Sequence, residues 1–259
     1  MAQLLFDEVS VRYHTPAGET LAVDRVSFAV EPGEIVALLG PSGCGKSTLL
    51  SCAAGLVRPS GGAVRIDGAP VLGPTPKVGY MLQQDHLLEW RTVLGNVLLG
   101  PEIRGADLRA ARRRALVLLE KYGLGEFVRH YPRQLSGGMR QRVALVRTLM
   151  LDPEFLLLDE PLSALDYQTR LHMQVDLVRI FRAEGRTVLM VTHDLAEAIA
   201  MADRVVVLSR RPARVKADVR VEFARPGLEP LERRREPDFA RHFNQIWSLL
   251  DAPEGRAAG

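Results

Sequence analysis

The sequence predicts an α/β fold with a parallel sheet, an antiparallel β subdomain near the N-terminus and an inserted α-helical subdomain. Two observations carry this prediction. In the second half of the chain, short apolar runs alternate with helical stretches, which is typical of a parallel sheet covered by helices. The opening third instead alternates apolar and polar side chains, which indicates half-buried antiparallel strands. The length of 259 residues suits one large domain or two small ones.

The opening third supplies the antiparallel strands and the first parallel one. Antiparallel strands are predicted over 6–13 and 21–30, and short strands return over 61–71. Residues 35–40 are apolar throughout, as expected for a parallel strand that is covered on both faces. A glycine-rich loop follows, and 46–56 is predicted to form a helix.

The region from about 84 to 150 has a different pattern and is predicted to be a helical insertion. Its clearest helix spans 108–124, with arginines on its outer side. One broad apolar stripe of this helix is predicted to face the core. The stripe consists of Leu108, Ala115, Leu116, Leu118 and Leu119.

The sheet pattern resumes after the insertion. Apolar segments at 155–160, 187–193 and 204–209 are predicted to be buried strands, and helical stretches at about 165–184 and 194–202 separate them. Beyond about 210 the chain is rich in Arg, Glu and Pro. The predicted domain therefore covers 1–210, with its core at 1–83 and 151–210 and its helical subdomain at about 84–150. Residues 211–259 form a C-terminal extension.

Composition excludes several classes of protein. Hydrophobic residues make up 47% and charged residues 25%, which excludes a disordered chain. The 34 basic and 31 acidic residues nearly cancel, so no nucleic-acid partner is predicted. Cys44 and Cys52 offer neither metal spacing nor a disulfide framework, which favours a reducing cytoplasm. No apolar run approaches the length of a membrane span, so only a partner would hold the chain at a membrane.

The glycine-rich loop matches the pattern G-x-x-x-x-G-K-[ST] between a strand and a helix, which predicts the phosphate loop of a P-loop NTPase. Its glycines let successive N–H groups face a phosphate, and the lysine, one of only four in the chain, supplies a compact positive charge. The hydroxyl after the lysine can bind Mg²⁺. The nucleotide-binding residues predicted here are Gly40, Pro41, Ser42, Gly43, Cys44, Gly45, Lys46, Ser47 and Thr48.

Two further segments narrow the choice among nucleotide-binding proteins. The strand over 155–160 ends in Asp159 and Glu160, which could hold Mg²⁺ and polarise a water, although two acids at a strand end are common. Ser136, Gly137 and Gly138 begin a helix and offer a hydroxyl and N–H groups to an anion, although an ordinary helix cap would look the same.

As an ordered set, these motifs resemble the ATP-binding subunits of ABC transporters over about 3–210. The resemblance implies that Gln83 contacts Mg²⁺, the attacking water and a membrane partner, and that His193 contacts the γ-phosphate. It also implies that Asp166 crosses a dimer interface and that Tyr13 stacks on adenine, with a simple sheet tyrosine as the alternative for Tyr13. One departure is Met139, which stands where the family's LSGGQ motif has Gln and cannot donate a hydrogen bond.

The resemblance implies ATP and Mg²⁺ as the cofactors and a head-to-tail dimer as the working unit. Two ATP molecules would lie between the phosphate loop of one copy and the LSGG segment of the other. Glu160, His193 and Gln83 are the predicted catalytic residues, and Glu160 orients or activates the water. Ser47, Gln83 and Asp159 are the predicted metal ligands.

A shorter stretch favours one group within the family. LLEWRTV, residues 87–93, is similar to the corresponding stretch of nitrate, sulfonate and taurine importer ATPases, with Glu89 in place of their usual Pro. Leu87, Leu88 and Trp90 are expected in an exposed groove that docks a membrane subunit, with packing inside the helical subdomain as the alternative. The predicted partners are transmembrane permease subunits, a second copy and a solute-binding protein, at the cytoplasmic face of the inner membrane. An exporter or lipid-transport ATPase, or a soluble ABC ATPase without a transport role, stays open.

Overall fold

The computed structural model describes residues 3–15 and 18–251 of the chain. Two sheets and a set of helices make up these residues. The strands are Leu4–Thr15 (β1), Gly18–Val30 (β2), Ile35–Leu39 (β3), Gly61–Ile66 (β4), Ala69–Pro70 (β5), Val78–Met81 (β6), Phe155–Asp159 (β7), Thr187–Thr192 (β8), Arg204–Leu208 (β9) and Val215–Arg220 (β10). The α-helices are Lys46–Ala53 (α1), Val93–Val97 (α2), Leu99–Ile103 (α3), Leu108–Lys121 (α4), Gly137–Leu149 (α5), Tyr167–Ala183 (α6), Leu195–Met201 (α7), Pro230–Arg233 (α8) and Pro237–Asp251 (α9).

The larger sheet has the order β10-β9-β3-β8-β7-β6. The strands from β9 to β6 pair in parallel, which confirms the predicted α/β class. Strand β3 shows why its sequence is apolar throughout. Ile35, Ala37 and Leu39 pack into the core on one face of the sheet, whereas Val36 and Leu38 pack into the core on the other. Since both faces are covered, every position of the strand is buried.

The smaller sheet is antiparallel and has the order β2-β1-β4-β5. Its long hairpin pairs Phe6 opposite Phe28, and the two rings stack with their centroids 4.3 Å apart. This sheet covers one face of the larger sheet, in the same core as helix α1. Tyr13 lies near the end of β1, opposite Thr20 of β2.

The segment between β6 and β7 contains helices α2 to α5 and two short 3-10 turns, Gly125–Phe127 and Pro132–Gln134. The predicted apolar stripe of α4 is only partly buried. Ala115, Leu118 and Leu119 lie in the core, but Leu108 and Leu116 are exposed, so the prediction was wrong for these two. The face that packs is narrower because α4 lies at the outer side of this helical group and buries one side only.

Strand β10 was not predicted. It pairs antiparallel with β9 and so continues the larger sheet beyond residue 210, where the sequence suggested an extension. Its sequence, VKADVR, mixes charged and apolar residues because an edge strand keeps one side in solvent. Helix α9 then packs back on the core through His242 and Ile246, and it lies against α7 and β9.

Candidate functional site

The parallel strands bring the predicted motifs to one edge of the larger sheet. The phosphate loop follows β3, Gln83 follows β6 by two residues, Glu160 follows β7 and His193 follows β8. The carboxyl ends of parallel strands lie at the same edge, which is where open α/β sheets bind ligands. Segments that are distant in the sequence therefore meet because of the strand order.

The phosphate loop connects β3 to helix α1. Gly45 has φ +129° and lies close to β2, so that an added Cβ would be 3.0 Å from the Ala22 carbonyl oxygen. A side chain at this position would be strained by the backbone conformation and would press against β2. The Lys46 side chain is only 6% exposed, and its Nζ donates to the carbonyl oxygens of Gly40 at 2.7 Å and Pro41 at 2.9 Å. The lysine is thus fixed inside the curve of its own loop.

A cavity of about 310 Å³ lies beside the loop. It is bounded by the loop, by the end of the β1–β2 hairpin, and by residues that follow β6, β7 and β9. Its lining residues are Tyr13, Thr20, Ala22, Ser42, Gly43, Gly45, Lys46, Ser47, Thr48, Gln83, Glu160 and Arg211. Six of the nine loop residues predicted for nucleotide binding, together with Tyr13, therefore line one cavity. Gly40, Pro41 and Cys44 belong to the same loop without lining it.

The acidic pair at the end of β7 divides into a buried and an accessible carboxylate. Asp159 is 5% exposed, and this burial raises the pKa of its carboxyl group, although a hydrogen bond from Ser47 acts in the opposite direction. Glu160 lines the cavity. The Gln83 Nε2 donates to Glu160 Oε2 at 3.1 Å, and His193 Nδ1 lies 3.2 Å from Glu160 Oε1. The predicted catalytic residues therefore form one connected group.

The backbone of Glu160 is strained, with φ +48° in the left-handed region. Its N–H donates to the Val191 carbonyl at 3.0 Å, and its carbonyl accepts from the N–H and the hydroxyl of Ser163 at 3.2 and 3.0 Å. These bonds on both sides hold a conformation that costs on the order of 1–3 kcal/mol. The Glu160 side chain of this strained residue lines the cavity.

Tyr13, near the end of β1, also lines the cavity. Its hydroxyl is 3.3 Å from Thr48 Oγ1, and the side chain is 40% exposed. The ring is therefore anchored at its polar end to the phosphate loop helix while much of its surface is accessible. This placement is that of a residue which can offer a ring face to a planar ligand.

The LSGG segment and Asp166 lie apart from this cavity. Ser136 is the N-cap of α5, and its hydroxyl accepts from the Met139 N–H at 3.3 Å. Asp166 is the N-cap of α6 and accepts from the Thr169 N–H at 3.0 Å. Hydrogen bonds from the side chain and the N–H of Thr169 lower the pKa of this carboxyl group. Both residues are exposed, and neither lines the cavity. A single chain does not bring these two helix ends to the phosphate loop.

Three cavity residues were missed by the sequence analysis. Thr20 and Ala22 come from β2, and Arg211 comes from the loop between β9 and β10. The signal for Arg211 was its position just after a strand that neighbours β3, at the edge where ligands bind. Ending the predicted domain at 210 concealed it.

A buried acid beside His193 was also missed. Glu197 in the first turn of α7 is 5% exposed and accepts from the Thr192 hydroxyl at 2.7 Å. Burial raises its pKa to about 7. The same Thr192 hydroxyl accepts from the Asp194 N–H at 3.0 Å, so these contacts hold the turn that carries His193. Nothing in the local sequence distinguishes Glu197 from an exposed helix glutamate.

Comparison with known proteins agrees with this arrangement. The family model described as "ABC transporter" matches residues 23–163, more than half of the chain. The chain belongs to the ABC transporter ATP-binding family. Membership in this family makes it an ATP-binding chain that hydrolyses ATP.

Two relatives match nearly the whole chain. An uncharacterized ABC transporter ATP-binding protein, YtlC of Bacillus subtilis, is 42% identical over 98% of both chains. The taurine import ATP-binding protein TauB of Burkholderia pseudomallei is 46% identical over 87% of this chain and 86% of its own length. Both relatives are ATP-binding proteins, and one of them is described as serving taurine import.

A solved ABC cassette shares the fold. The dimeric structure of the bacterial ABC transporter cassette MJ0796 has a TM-score of 0.77 and 32% identity, covering 85% of this chain and 99% of that one. A second structure of MJ0796 is a dimeric post-hydrolysis state bound to ADP and Pi, with a TM-score of 0.76. Within residues 3–15 and 18–251 of our chain, no helix is long and apolar enough to cross a membrane.

Proposed function

We propose that this chain is the ATP-hydrolysing subunit of a membrane importer for a small anionic solute such as nitrate, a sulfonate or taurine. The observation that carries the proposal is the cavity in which Lys46 and Glu160 lie together, with Glu160 bonded to Gln83 and His193. The similarity to a taurine import ATP-binding protein supports the importer and its solute class.

We assign the cavity to ATP. The triphosphate would lie in the curve of the phosphate loop, where Lys46 and the N–H groups at the start of α1 supply positive charge. Adenine would lie against the accessible ring of Tyr13. The loop residues predicted from the sequence, from Gly40 to Thr48, take part in this binding through their backbone or, for Ser47 and Lys46, through their side chains.

The donor set fits Mg²⁺. Ser47, Gln83 and Asp159 offer a hydroxyl, an amide and a carboxylate oxygen, the hard ligands that Mg²⁺ prefers, and Ser47 bonds Asp159 directly. Mg²⁺ in nucleotide sites usually takes one or two protein ligands and completes its coordination with substrate phosphates and water, and this small donor set suits that arrangement. When bound, the ion would neutralise charge on the phosphates.

Hydrolysis follows from the contacts of Glu160. This carboxylate would accept a hydrogen bond from the attacking water and orient it toward the γ-phosphate. His193, at 3.2 Å from the same carboxylate, would hold a γ-phosphate oxygen, and Gln83 would fix the second carboxylate oxygen. The strained φ of Glu160 keeps this group aimed at the cavity before ATP arrives.

A second copy would complete the site. The N-terminus of α5 carries Ser136, Gly137 and Gly138, and that of α6 carries Asp166, but neither end lines the cavity of its own chain. In a head-to-tail dimer they would cover the ATP of the partner and exclude water. The likeness to the dimeric cassette MJ0796 supports this arrangement.

Permease subunits are the other proposed partners, together with a solute-binding protein. Trp90 is 75% exposed and lies in the stretch predicted to dock a membrane subunit, which supports that role. Leu87, by contrast, is buried and belongs to the core of the helical group, so the expected exposure was wrong for this residue. These partners would hold the chain at the cytoplasmic face of the inner membrane.

The test is purification of the chain from membranes of its source, followed by identification of the attached permease and reconstitution of the complex in vesicles. We expect ATP hydrolysis to rise when taurine, an alkanesulfonate or nitrate is supplied on the outer side together with its binding protein. The Lys46→Ala variant should assemble and stay inactive. Full ATPase activity from a chain that never associates with membranes would contradict the transport proposal, and stimulation by a solute on the ATP side would indicate an exporter.

A further inference from the structure

The loop between β9 and β10, residues 209–214, is rigidly built. The Ser209 N–H donates to the Arg214 carbonyl at 2.9 Å, and the Ser209 hydroxyl accepts from the Arg214 N–H at 2.8 Å. The same hydroxyl lies 3.0 Å from the Pro212 carbonyl oxygen, to which it donates. One serine side chain therefore bonds the backbone of both arms of the loop.

The loop is also fixed to the antiparallel sheet. The Ala213 N–H donates to the Ala22 carbonyl at 2.9 Å, and the Asp24 N–H donates to the Ala213 carbonyl at 2.9 Å. Ala213 is completely buried. Because Ala22 lines the cavity, these bonds set the position of the loop relative to the phosphate loop and the β1–β2 hairpin.

Arg211 lies at the tip of this loop and reaches the phosphate loop. Its Nε and Nη2 are 3.2 and 2.9 Å from the carbonyl oxygen of Gly43, to which both donate. Gly43 is in the middle of the phosphate loop, and Arg211 lines the same cavity as Lys46 and Tyr13. A guanidinium carries five N–H donors, more than a single carbonyl can accept.

We propose that Arg211 is a second cationic contact for the nucleotide, binding a phosphate oxygen of ATP or ADP while it holds the phosphate loop through Gly43. Three observations support it. Lys46 and Arg211 are the basic residues that line the cavity, and the loop that carries Arg211 is anchored on two sides. Gly43, which Arg211 contacts, also lines the cavity and belongs to the glycine-rich loop. Arginine and phosphate form charge-assisted hydrogen bonds that are stronger than neutral ones. The inference rests on the ATP site proposed above.

The test compares two substitutions that separate charge from hydrogen bonding. Arg211→Gln keeps an N–H donor for the Gly43 carbonyl but loses the charge, whereas Arg211→Lys keeps the charge. The measurement is the dissociation constant for ADP with Mg²⁺, by calorimetry, at low and high salt. We expect Arg211→Gln to weaken binding by about tenfold at low salt, which is the loss of one charge-assisted hydrogen bond. The loss should shrink at high salt because exposed charges are screened.

Arg211→Lys should keep binding within about threefold of the parent, since a cation remains at the same place. The matched control is Arg214→Gln in the same loop. Arg214 is paired with Asp24 at 2.9 Å and does not line the cavity, so its replacement should leave the ADP constant unchanged. Unchanged thermal unfolding of both Gln variants without nucleotide shows that the loop still folds.

Two results would overturn the role of Arg211. In the first, the dissociation constant for ADP of Arg211→Gln equals that of the parent. In the second, the loss of ADP affinity is the same at low and high salt and is the same in Arg211→Lys. The second result would mean that the side chain only holds the loop. Absence of ADP binding by the parent protein would instead contradict the ATP site itself, so the two failures are distinguishable.

Discussion

The groups at the carboxyl edge of the parallel sheet are held in place by contacts within one chain, whereas those at the starts of helices α5 and α6 are exposed to solvent. Lys46 is buried and bonded to two carbonyls, and Glu160 is held by contacts to its backbone and its carboxylate. Ser136 and Asp166 are exposed caps of their own helices.

The difference indicates a division of work. The charged groups that we propose contact ATP are already held in place by the strand order and by burial, and a single chain achieves both. The N-termini of α5 and α6 also carry N–H groups that can bind an anion, but they lie at the surface. In the proposed dimer, the anion would be ATP bound in the cavity of the second copy. The cavity side would therefore bind nucleotide alone, and the helix-end side would act only in an assembly.

The largest expected effect tests the cavity side. Glu160→Gln should lower ATP turnover by about 100- to 1000-fold, because the carboxylate that we propose orients the water is lost while the shape of the side chain is kept. Because this variant does not turn ATP over, a dimer should accumulate when ATP is added, and size-exclusion chromatography would detect it. Glu154→Gln is the control, since Glu154 lies just before the other end of β7 and pairs with Lys77 at 3.7 Å. Parent-like turnover in Glu160→Gln would show that Glu160 is not the group that acts on water.

The next effect tests whether the two sides meet in different chains. Ser136→Asp keeps a good N-cap for α5 but places a negative charge where the phosphates of the partner would lie, so turnover should fall strongly while ADP binding by the single chain is kept. Equal mixing with Glu160→Gln should restore about a quarter of the parent turnover, since half of the dimers would be mixed and each would have one intact site. No recovery on mixing would mean that both groups act within one chain.

A third prediction concerns the support of His193 on the cavity side. The pKa of Glu197 is raised to about 7 in the folded chain, above its value of 4.5 in the absence of burial. The folded chain keeps the proton between these values and the unfolded chain does not, so stability that is present below pH 4.5 is lost as pH rises through 7. Glu197→Gln should therefore match the parent near pH 4.5 and be more stable at pH 8 by about 3 kcal/mol. Urea unfolding at several pH values measures this, and a difference that does not change with pH would contradict it.

The smallest expected effect lies on the helix-end side. Met139→Gln introduces the residue that the family's LSGGQ motif has at this position. The contact of Met139 with Ser136 is made by its backbone N–H, so the Gln variant keeps it. The side chain is half-buried against the core, and a polar replacement at such a site should change turnover by less than about threefold. An increase of tenfold or more in steady-state ATP hydrolysis would show that the missing amide limits the reaction.

Much of the site was predictable because its motifs are local. The phosphate loop needs small residues at fixed spacing, and both the strand before it and the helix after it are evident in the sequence. The Glu160 contacts to Gln83 and His193 were implied only by a resemblance, since 77 and 33 positions separate these residues and only the order of β6, β7 and β8 brings them together.

The missed features share a physical cause. Strand β10 and Arg211 lie in a segment whose charged composition is typical of a surface, and their structure depends on pairing with β9 and β2. Glu197 has the sequence of an exposed helix residue but is buried by the packing of α7. The error for α4 had the opposite sign: Leu108 and Leu116 were predicted to be buried but are exposed. The width of the buried face of a helix depends on the elements that pack against it.

The sequence by itself determined the α/β class, the loop that ends in Lys46 and Ser47, and the acidic pair after β7, because each follows from local pattern and spacing. Only the tertiary structure decided which of the predicted residues share a cavity, that Arg211 joins them, and that Ser136 and Asp166 do not. The reason is that such neighbours are set by strand order and by packing between distant segments, and these depend on the burial of side chains from the whole chain.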